Sequence, residues 1–304
     1  METGLALAGG GIPGCTAIGV IRALNEAGIT ISHIAGTSSG SMIAALHAFG
    51  YSPSELEEIV PTLNRRHLDL DWRAILKKAL FLNRDFEGLL KGNRLKGLMD
   101  ELTEGKSLSS LRTPCGIVAT DMDQERIFVF SNTHVKGYDW DDQALIGEAV
   151  RASFAIPLLF QPMHYKGRTL YDGGILVNCP VQVCKAMGAK HVIAVDPISP
   201  MKTADRPVGL STLLHQVIYF HLKTQMKAEH SFADFVLYPE SPFVSALDFQ
   251  KAADFIDLGY KAAMKQMEEI KQVLEESNHK LQGLTINDAS SCAGCDRRQT
   301  DCEE

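Results

Sequence analysis

Short apolar runs alternate with helical patterns in the N-terminal part of the chain. Residues 4–8 (GLALA) form an apolar run, and a glycine loop and a helical pattern over residues 15–27 follow it. A second apolar run, residues 31–35, leads into a small-residue turn and a helical pattern over residues 42–49. Two successive strand–loop–helix units predict a parallel sheet covered by helices, in which ligands bind at the carboxyl ends of the strands.

Further strand-like and helical patterns follow. The strand-like runs are residues 116–120, 126–131, 168–171, 191–196 and 235–238, of which the first two are spaced as a hairpin. The helical patterns are residues 95–102, 140–153, 181–187, 208–230 and 248–276. Ser52, Pro53 and Glu55 have the spacing of a capped helix start. We expect a three-layer α/β/α fold with a mostly parallel central sheet over residues 1–280, and a flexible tail at residues 281–304.

The composition is that of a globular protein. Of 304 residues, 45% are hydrophobic and 22% are charged, close to the average for folded domains. No apolar run approaches the roughly 18 residues that a membrane span needs, and the apolar start has no basic leader. Seven cysteines, an odd number over a long chain, indicate free thiols in a reducing compartment. We therefore expect a cytoplasmic protein, with peripheral membrane association as a further option.

Charge is unevenly distributed along the chain. The formal net charge of −7 argues against a nucleic-acid partner, because phosphate binding needs a basic face. Residues 64–97 nevertheless contain nine Lys or Arg against four acidic residues. Residues 72–82 (WRAILKKALFL) fit an apolar face on an anionic interface, but the pattern favours a surface helix packed on the core. The helical basic segment at about residues 61–106 is therefore a candidate lid or interface.

A small-residue turn follows the second predicted strand. Ser38 has a glycine two positions away on each side, Gly36 and Gly40. This pattern is typical of a sharp strand-to-helix turn, where passing backbones leave no room for side chains at the glycine positions. Ser39 lacks glycines at the same distance, so Ser38 is the predicted nucleophile. From the turn alone, Ser38 as a plain cap of the following helix is an equal alternative.

The glycine loop after the first strand has two functional interpretations. Gly9, Gly11 and Gly14 match the spacing of a dinucleotide fingerprint. That fingerprint also needs an acidic residue at the end of the second strand, where this chain has the serine turn. The favoured interpretation is an oxyanion hole, in which backbone N–H groups of Gly9, Gly10 and Gly11 bind an anionic oxygen beside the serine. The third interpretation is structural: the loop is a plain tight turn that binds nothing.

A nucleophilic serine needs a group that accepts its proton. None of the ten histidines lies in a distinctive motif, whereas Asp172 is followed by Gly173 and Gly174. A lone Asp-Gly-Gly is most often a turn. The carboxylate of Asp172 is a candidate general base, provided that partial burial keeps its pKa from falling too low.

Four motifs together resemble the patatin-like phospholipase family. They are GGGIPG at residues 9–14, GTSSG at 36–40, RASFAIPLLFQP at 151–162 and DGG at 172–174, in that family's order and spacing. The resemblance covers about residues 4–196. It implies a patatin-like fold and a lipid acyl hydrolase that works through a Ser–Asp dyad without histidine.

The resemblance also implies a role for each motif. Ser38 corresponds to the nucleophile of a carboxylic ester hydrolase and Asp172 to its general base, with an acyl-enzyme intermediate. The implied oxyanion donors are Gly9, Gly10 and Gly11. The supporting motif glycines are Gly14, Gly36, Gly40, Gly173 and Gly174. Pro13 departs from the family, which usually has a basic residue there, and this puts the binding of an anionic head group at the loop in question.

Two other functions fit the same residues. An ordinary α/β-hydrolase esterase would use a Ser-His-Asp triad, although its serine follows several strands rather than two. The candidate histidines for such a triad are His191, His215, His221 and His230. A non-catalytic protein that binds lipid or another partner could retain the same fold.

We expect no cofactor and no metal. The tail cysteines Cys292, Cys295 and Cys302 are too few for a structural zinc site, which needs four ligands, so unpaired tail thiols are favoured over a metal or redox role. The expected partner is a lipid ester substrate, with peripheral contact to a membrane surface.

Overall fold

The computed structural model of the chain describes residues 2–62, 69, 88–197, 209–240, 242, 244 and 248–276. The strands in these ranges are β1 (Thr3–Leu7), β2 (Ile31–Thr37), β3 (Gly88–Leu90), β4 (Cys115–Asp121), β5 (Arg126–Ser131), β6 (Asp139–Asp141), β7 (Leu158–Phe160), β8 (Met163–Tyr165), β9 (Arg168–Asp172), β10 (His191–Val195) and β11 (Phe235–Leu237). The helices are α1 (Thr16–Glu26), α2 (Ser39–Phe49), α3 (Pro53–Ile59), α4 (Asn93–Leu102), α5 (Ile146–Ser153), α6 (Val181–Met187), α7 (Gly209–His230) and α8 (Ala252–Lys265). A further helical stretch, residues 267–276, follows α8 after a break at Gln266.

Within the described ranges, one central sheet contains nine strands. Seven of them follow the order β11-β10-β1-β2-β4-β5-β6, and β9 and β8 branch from β4. Every pair from β11 to β4 is parallel, β4 is antiparallel to β5, and β5 is parallel to β6. β9 pairs antiparallel with both β4 and β8. The predicted mostly parallel sheet is therefore confirmed, with an antiparallel portion at one side.

Alternate residues of the central strands face two different helical layers. In β1, Leu5 and Leu7 belong to the larger apolar cluster, together with residues of α1, α2, α5 and α8. Ala6 belongs to the second cluster, with Val192 of β10 and residues of α6. All of β1 is buried, as expected for a parallel strand covered on both faces. The sheet is thus the middle of three layers, as the sequence predicts.

Several predicted local features are present. The hairpin of residues 116–120 and 126–131 is the antiparallel pair of β4 and β5. At the start of α3, Ser52 N donates to Glu55 Oε2 (2.8 Å) and Glu55 N donates to Ser52 Oγ (3.3 Å), which forms the predicted capping box. α6 ends at Gly188, which has a φ of 117°. These boundaries depend on local chemistry, which is why the sequence predicts them.

The predicted helix over residues 140–153 is wrong in its first part. Asp139–Asp141 is a strand paired with β5, and the helix begins only at Ile146. The cause is a local turn: Asp141 Oδ1 accepts hydrogen bonds from Gln143 N (2.8 Å) and Ala144 N (3.2 Å). Such a side-chain turn competes with helical backbone bonds.

Two predicted segments lie outside the described residues. They are the apolar and basic run of residues 72–82 and the tail at residues 281–304. The described part of the basic segment contains α4 and β3, and β3 pairs with β7 in a separate two-stranded sheet. In the part of the chain that the structure describes, no helix is both long enough and apolar enough to cross a membrane.

Candidate active site

Strands β2 and β9 meet end to end along one edge of β4. Thr37, the last residue of β2, pairs with Val118, and Asp172, the last residue of β9, pairs with Ala119. Because β2 is parallel and β9 antiparallel to β4, the two strands approach the same point from opposite directions. Ser38 follows Thr37 directly. The pairing therefore brings the predicted nucleophile and the predicted base together at the carboxyl end of the parallel strands.

The backbone of Ser38 is strained. Its φ is 52° and its ψ is −126°, a combination that non-glycine residues rarely adopt. The turn also leaves no room beside it: a Cβ on Gly36 would lie 2.3 Å from the Gly40 oxygen, and a Cβ on Gly40 would lie 2.4 Å from the Leu7 oxygen. Ser38 N donates to Ser153 Oγ (2.9 Å), which fixes the turn. The serine is thus held at the tip between β2 and α2.

The two adjacent serines have different surroundings. Ser38 occupies the N-cap position of α2, but its hydroxyl makes no capping hydrogen bond. Capping alone therefore does not explain a serine at this strained position. Ser39 is the first residue of α2, and its buried hydroxyl has no hydrogen-bond partner among the described residues. A Cβ on Gly14 would lie 2.3 Å from Ser39 Oγ, so this hydroxyl packs against the helix start after the glycine loop.

The glycine loop lies against Ser38. A Cβ on Gly9 would lie 2.8 Å from the Cβ of Ser38. Asn178 holds the loop through two hydrogen bonds: Gly9 N donates to Asn178 O (3.2 Å) and Asn178 Nδ2 donates to Gly9 O (3.2 Å). The N–H of Gly9 is therefore already used. Within the described residues, the N–H groups of Gly10 and Gly11 have no hydrogen-bond acceptor.

Asp172 is buried in a turn that glycine makes possible. Asp172 is only 5% exposed. A Cβ on Gly173 would lie 2.5 Å from the Val118 oxygen, so the chain passes close to β4. Gly174 N donates to Asp172 Oδ1 (2.7 Å). Asp172 Oδ2 has no hydrogen-bond partner among the described residues, which leaves one carboxylate oxygen available to accept a proton.

Burial sets the proton affinity of this carboxylate. It raises the pKa of Asp172 from its ordinary value of 3.8 to about 6, because the charged form loses its hydration. The N–H of Gly174 and the nearby hydroxyl of Ser38 lower the pKa in part. The Ser38 hydroxyl nevertheless makes no hydrogen bond of standard geometry to the carboxylate, and catalytic hydrogen bonds often tighten only when substrate binds. Asp172 thus combines a buried position with a pKa suited to a general base near neutral pH.

The sequence did not reveal two residues that support the site, Ser153 and Asn178. Ser153 accepts the N–H of Ser38 and donates to Val118 O (2.6 Å), so it joins the serine turn to β4. Asn178 joins the glycine loop to the chain that follows Asp172. Ser153 lies within the motif at residues 151–162, which was the one available signal. No local pattern marks Asn178, because its partner is distant in sequence.

The candidate triad histidines have other partners. His191 Nδ1 lies 3.7 Å from Asp234, His221 Nε2 lies 2.8 Å from the Ile175 oxygen, and His230 Nε2 lies 3.8 Å from Asp196. The side chain of His215 lies outside the described residues. Among the described side chains, no histidine hydrogen-bonds to the serine or to the aspartate of the site. The described residues also contain no group of three or more His, Cys, Asp or Glu able to hold a metal ion.

Comparison with known proteins identifies the family of the chain. The family profile described as patatin-like phospholipase matches residues 5–185, more than half of the chain. The chain belongs to the patatin-like phospholipase family. All four motifs on which the resemblance rested begin and end inside the matched residues.

Several members of the family can be aligned with this patatin-like chain. It is 31% identical over 192 residues to human patatin-like phospholipase domain-containing protein 6, covering 63% of this chain and 13% of that protein. It is 32% identical over 210 residues to lysophospholipase NTE1 of Mycosarcoma maydis, covering 69% of this chain and 10% of that protein. The chain thus spans only a small part of the length of these relatives. A solved structure, VipD from Legionella pneumophila, matches with a TM-score of 0.49 and 16% identity over 88% of this chain and 67% of that chain.

Proposed function

We propose that the chain is a lipid acyl hydrolase that cleaves carboxylic esters through a Ser38–Asp172 dyad. The observation that carries this proposal is the meeting of β2 and β9 along β4, which places a strained serine beside a buried carboxylate with an unpartnered oxygen. Family membership supports a lipid ester as substrate. The hydrolysis of a phospholipid or a related acyl lipid is the specific activity that we propose.

In the first step, Ser38 Oγ attacks the carbonyl carbon of the ester while Asp172 Oδ2 accepts the hydroxyl proton. The negative charge that develops on the carbonyl oxygen is stabilised by the N–H groups of Gly10 and Gly11, which have no other acceptor among the described residues. The Gly9 amide is occupied by Asn178 O, so we narrow the predicted donors to these two glycines. Asp172 then returns the proton to the leaving alcohol, and an acyl-enzyme forms.

In the second step, Asp172 accepts a proton from water, and the resulting hydroxide attacks the acyl carbonyl. The tetrahedral intermediate collapses, the fatty acid is released, and the proton returns to Ser38 Oγ. The same donors stabilise the charge on the oxygen in both steps. The mechanism requires no histidine and no metal ion.

The adjacent serines provide a matched test. Ser38→Ala should reduce hydrolysis of a short nitrophenyl ester by at least about a thousandfold. Ser39→Ala should retain activity within a few-fold, because the Ser39 hydroxyl has no partner to lose among the described residues. A fluorophosphonate probe should label the parent protein and the Ser39→Ala variant, but not the Ser38→Ala variant. Parent-level hydrolysis by folded Ser38→Ala protein would exclude the mechanism.

The physiological lipid can be identified with the same variants. Purified protein is incubated with a mixed lipid extract, and released fatty acids and lyso-products are identified by mass spectrometry, with Ser38→Ala as the blank. Products that appear with the parent and not with the blank define the head group and the acyl chain. If folded protein neither labels with the probe nor releases any product, a non-catalytic binding protein becomes the better explanation.

We also propose a cytoplasmic location with peripheral membrane contact. Its support is the state of the thiols: the described cysteines, Cys15, Cys115, Cys179 and Cys184, are all buried and unpaired. Free buried thiols are usual in a reducing compartment. Recovery of the protein from the extracellular fraction of its native cells would contradict this location.

A further inference from the structure

Helix α7 borders the candidate active site with its C-terminal half. Met226 and Glu229 are 2% and 6% exposed, so this half of the helix is packed on the protein. Asn178 Nδ2 lies 3.2 Å from Met226 Sδ, which connects the helix to the residue that holds the glycine loop. A Cβ on Gly174 would lie 3.7 Å from the Leu222 side chain. The helix therefore runs directly past the Asp172 turn.

The N-terminal half of α7 exposes apolar side chains. Ile218 is 55% exposed on a different face of the helix, and Leu213, Val217 and Phe220 are 56%, 55% and 60% exposed. Their spacing of four and three residues places them on one face of the helix. At 100° per residue this face is opposite to that of Met226, which packs on the protein. The three side chains, here called the α7 stripe, therefore face away from the described part of the chain on which Met226 packs.

A second apolar element flanks the Asp172 turn on another side. Ala155 O accepts a hydrogen bond from Asp172 N (2.9 Å), and the loop continues through Ile156 and Leu158, which are 38% and 65% exposed. Leu158 has a φ of 69°, a left-handed conformation that is costly for leucine. The Leu158 backbone pairs with Gly88 of β3, while its side chain remains exposed. Exposed apolar side chains thus occur on both segments that contact the Asp172 turn.

The charges on α7 indicate which kind of surface it meets. Residues 209–228 contain no Asp or Glu, although the chain as a whole has a net charge of −7. Lys223 and Lys227 are exposed and form no ion pair with any described residue. On the helix they lie beside the α7 stripe, toward its C-terminal end. A stripe of apolar side chains next to lysines is the pattern of a helix that lies on an anionic lipid surface.

We infer that α7 docks the protein on an anionic lipid surface, with the α7 stripe entering the interface and Lys223 and Lys227 contacting the head groups. This inference rests on the proposed function, since docking would bring the lipid ester to Ser38. The lipid is favoured over a second copy of the chain because two copies joined through this face would bring the lysines of both α7 helices together, whereas an anionic lipid surface complements them. The membrane contact is thereby assigned to a defined surface, outside the basic segment at residues 61–106.

The first experiment measures binding without hydrolysis. Ser38→Ala protein is sedimented with vesicles of phosphatidylcholine that contain phosphatidylserine. Adding Val217→Ser and Phe220→Ser should lower the partition coefficient about 30-fold, on the order expected when two apolar side chains no longer leave water. The matched control is Met264→Ser, which removes a 44% exposed methionine from α8 in the opposite helical layer. Equal binding of the stripe variant and the control would overturn the inference.

The second experiment tests the charge. Lys223→Gln with Lys227→Gln should weaken binding to phosphatidylserine vesicles about tenfold and leave binding to pure phosphatidylcholine vesicles nearly unchanged. Binding of the parent should also weaken with rising salt. If the lysine variant binds both kinds of vesicle as the parent does, the assignment of head-group contacts to these lysines is wrong.

The third experiment separates docking from catalysis. On an active background, the stripe variant should hydrolyse a monomeric short-chain ester at the parent rate and lose about tenfold or more in hydrolysis of vesicle lipid. If correctly folded protein loses hydrolysis of both the monomeric ester and the vesicle lipid, the stripe contributes to the reaction itself and the docking inference is overturned. Light scattering gives a further outcome: a parent dimer that becomes monomeric in the stripe variant would show that the stripe is a contact between two copies, which also overturns the inference.

Discussion

Two buried aspartates at the ends of neighbouring strands have opposite surroundings. Asp121 ends β4, and its fully buried side chain is paired with the Arg168 guanidinium and accepts the N–H groups of Asp123 (3.0 Å) and Gln124 (3.2 Å). Asp172 ends β9 and accepts a single backbone N–H on one oxygen. Both carboxylates are buried to a similar degree. The difference teaches that burial alone does not distinguish the proposed general base from a structural aspartate: the missing cation and the unpartnered oxygen do.

The largest expected contrast is in activity. Asp172→Asn should reduce ester hydrolysis by at least about a thousandfold, because the amide cannot accept the serine proton. Asp121→Asn should keep the activity of folded molecules within about threefold, since its carboxylate is satisfied by structural partners. Both rates are measured on a short nitrophenyl ester and corrected for the folded fraction. If both variants lost the same amount of activity, the two aspartates would not differ in their contribution to hydrolysis, and the comparison would be wrong.

The next contrast is in stability, because the two substitutions should change the free energy of unfolding in opposite directions. Asp121→Asn should lower the free energy of unfolding by about 2–3 kcal/mol, because Arg168 loses a buried charged partner. Asp172→Asn should raise that free energy at about pH 8, where the parent must keep an ionised carboxylate without a cation. Urea unfolding followed by circular dichroism measures both effects. A loss of stability in Asp172→Asn comparable to that of Asp121→Asn would mean that Asp172 also has an undetected stabilising partner.

The stability effect of Asp172 depends on pH in a defined direction. Its folded-state pKa of about 6 lies above the ordinary value of 3.8, so between these values the folded protein retains a proton that the unfolded chain releases. The contribution of Asp172 therefore becomes less favourable as pH rises through this window, by about 3 kcal/mol at most. The advantage of Asp172→Asn over the parent should shrink as pH falls from about 6 to about 4. A constant difference across this window would show that the pKa is not raised.

A pH profile of the reaction sharpens the same point. The base must be ionised to accept the serine proton, so kcat/KM should fall about tenfold per pH unit below an apparent pKa near 6. The profile is measured with a neutral ester, whose own charge does not change with pH. An acid limb near pH 4 would indicate that Asp172 is as hydrated as an ordinary surface carboxylate.

The smallest effect is expected at the support of the serine turn. Ser153→Ala removes the acceptor of the Ser38 N–H and the donor to Val118 O. We expect about a threefold to tenfold loss in kcat with little change in KM, because the nucleophile is less well positioned while the rest of the site is intact. Ser153→Gly also removes both hydrogen bonds and should lower kcat at least as much. Unchanged kcat in both variants would show that the flanking glycines hold the turn without this hydrogen bond.

The predictability of the fold and the site follows from the range of the interactions involved. Strands β1 and β2, the Ser38 turn and the capped start of α3 depend on neighbouring residues, so the sequence predicts them. The position of β9 beside β4 depends on pairing between distant segments, and no local pattern specifies its register. For the same reason Asn178 was not identified. The strand around Trp140 was mistaken for helix because the Asp141 side chain ends the helical pattern by a turn that periodicity does not detect.

The end-to-end arrangement of β2 and β9 also bears on how the protein folds. The proposed nucleophile and the proposed base come from strands far apart in the chain, and both align only through the β4 edge that they share. Closing such a long loop is slow compared with forming the local strand–helix units. Catalytic activity should therefore return late in refolding, after the secondary structure has formed. Under the proposed mechanism, activity would therefore report completed assembly, and folding intermediates that lack β9 should be unable to hydrolyse lipid.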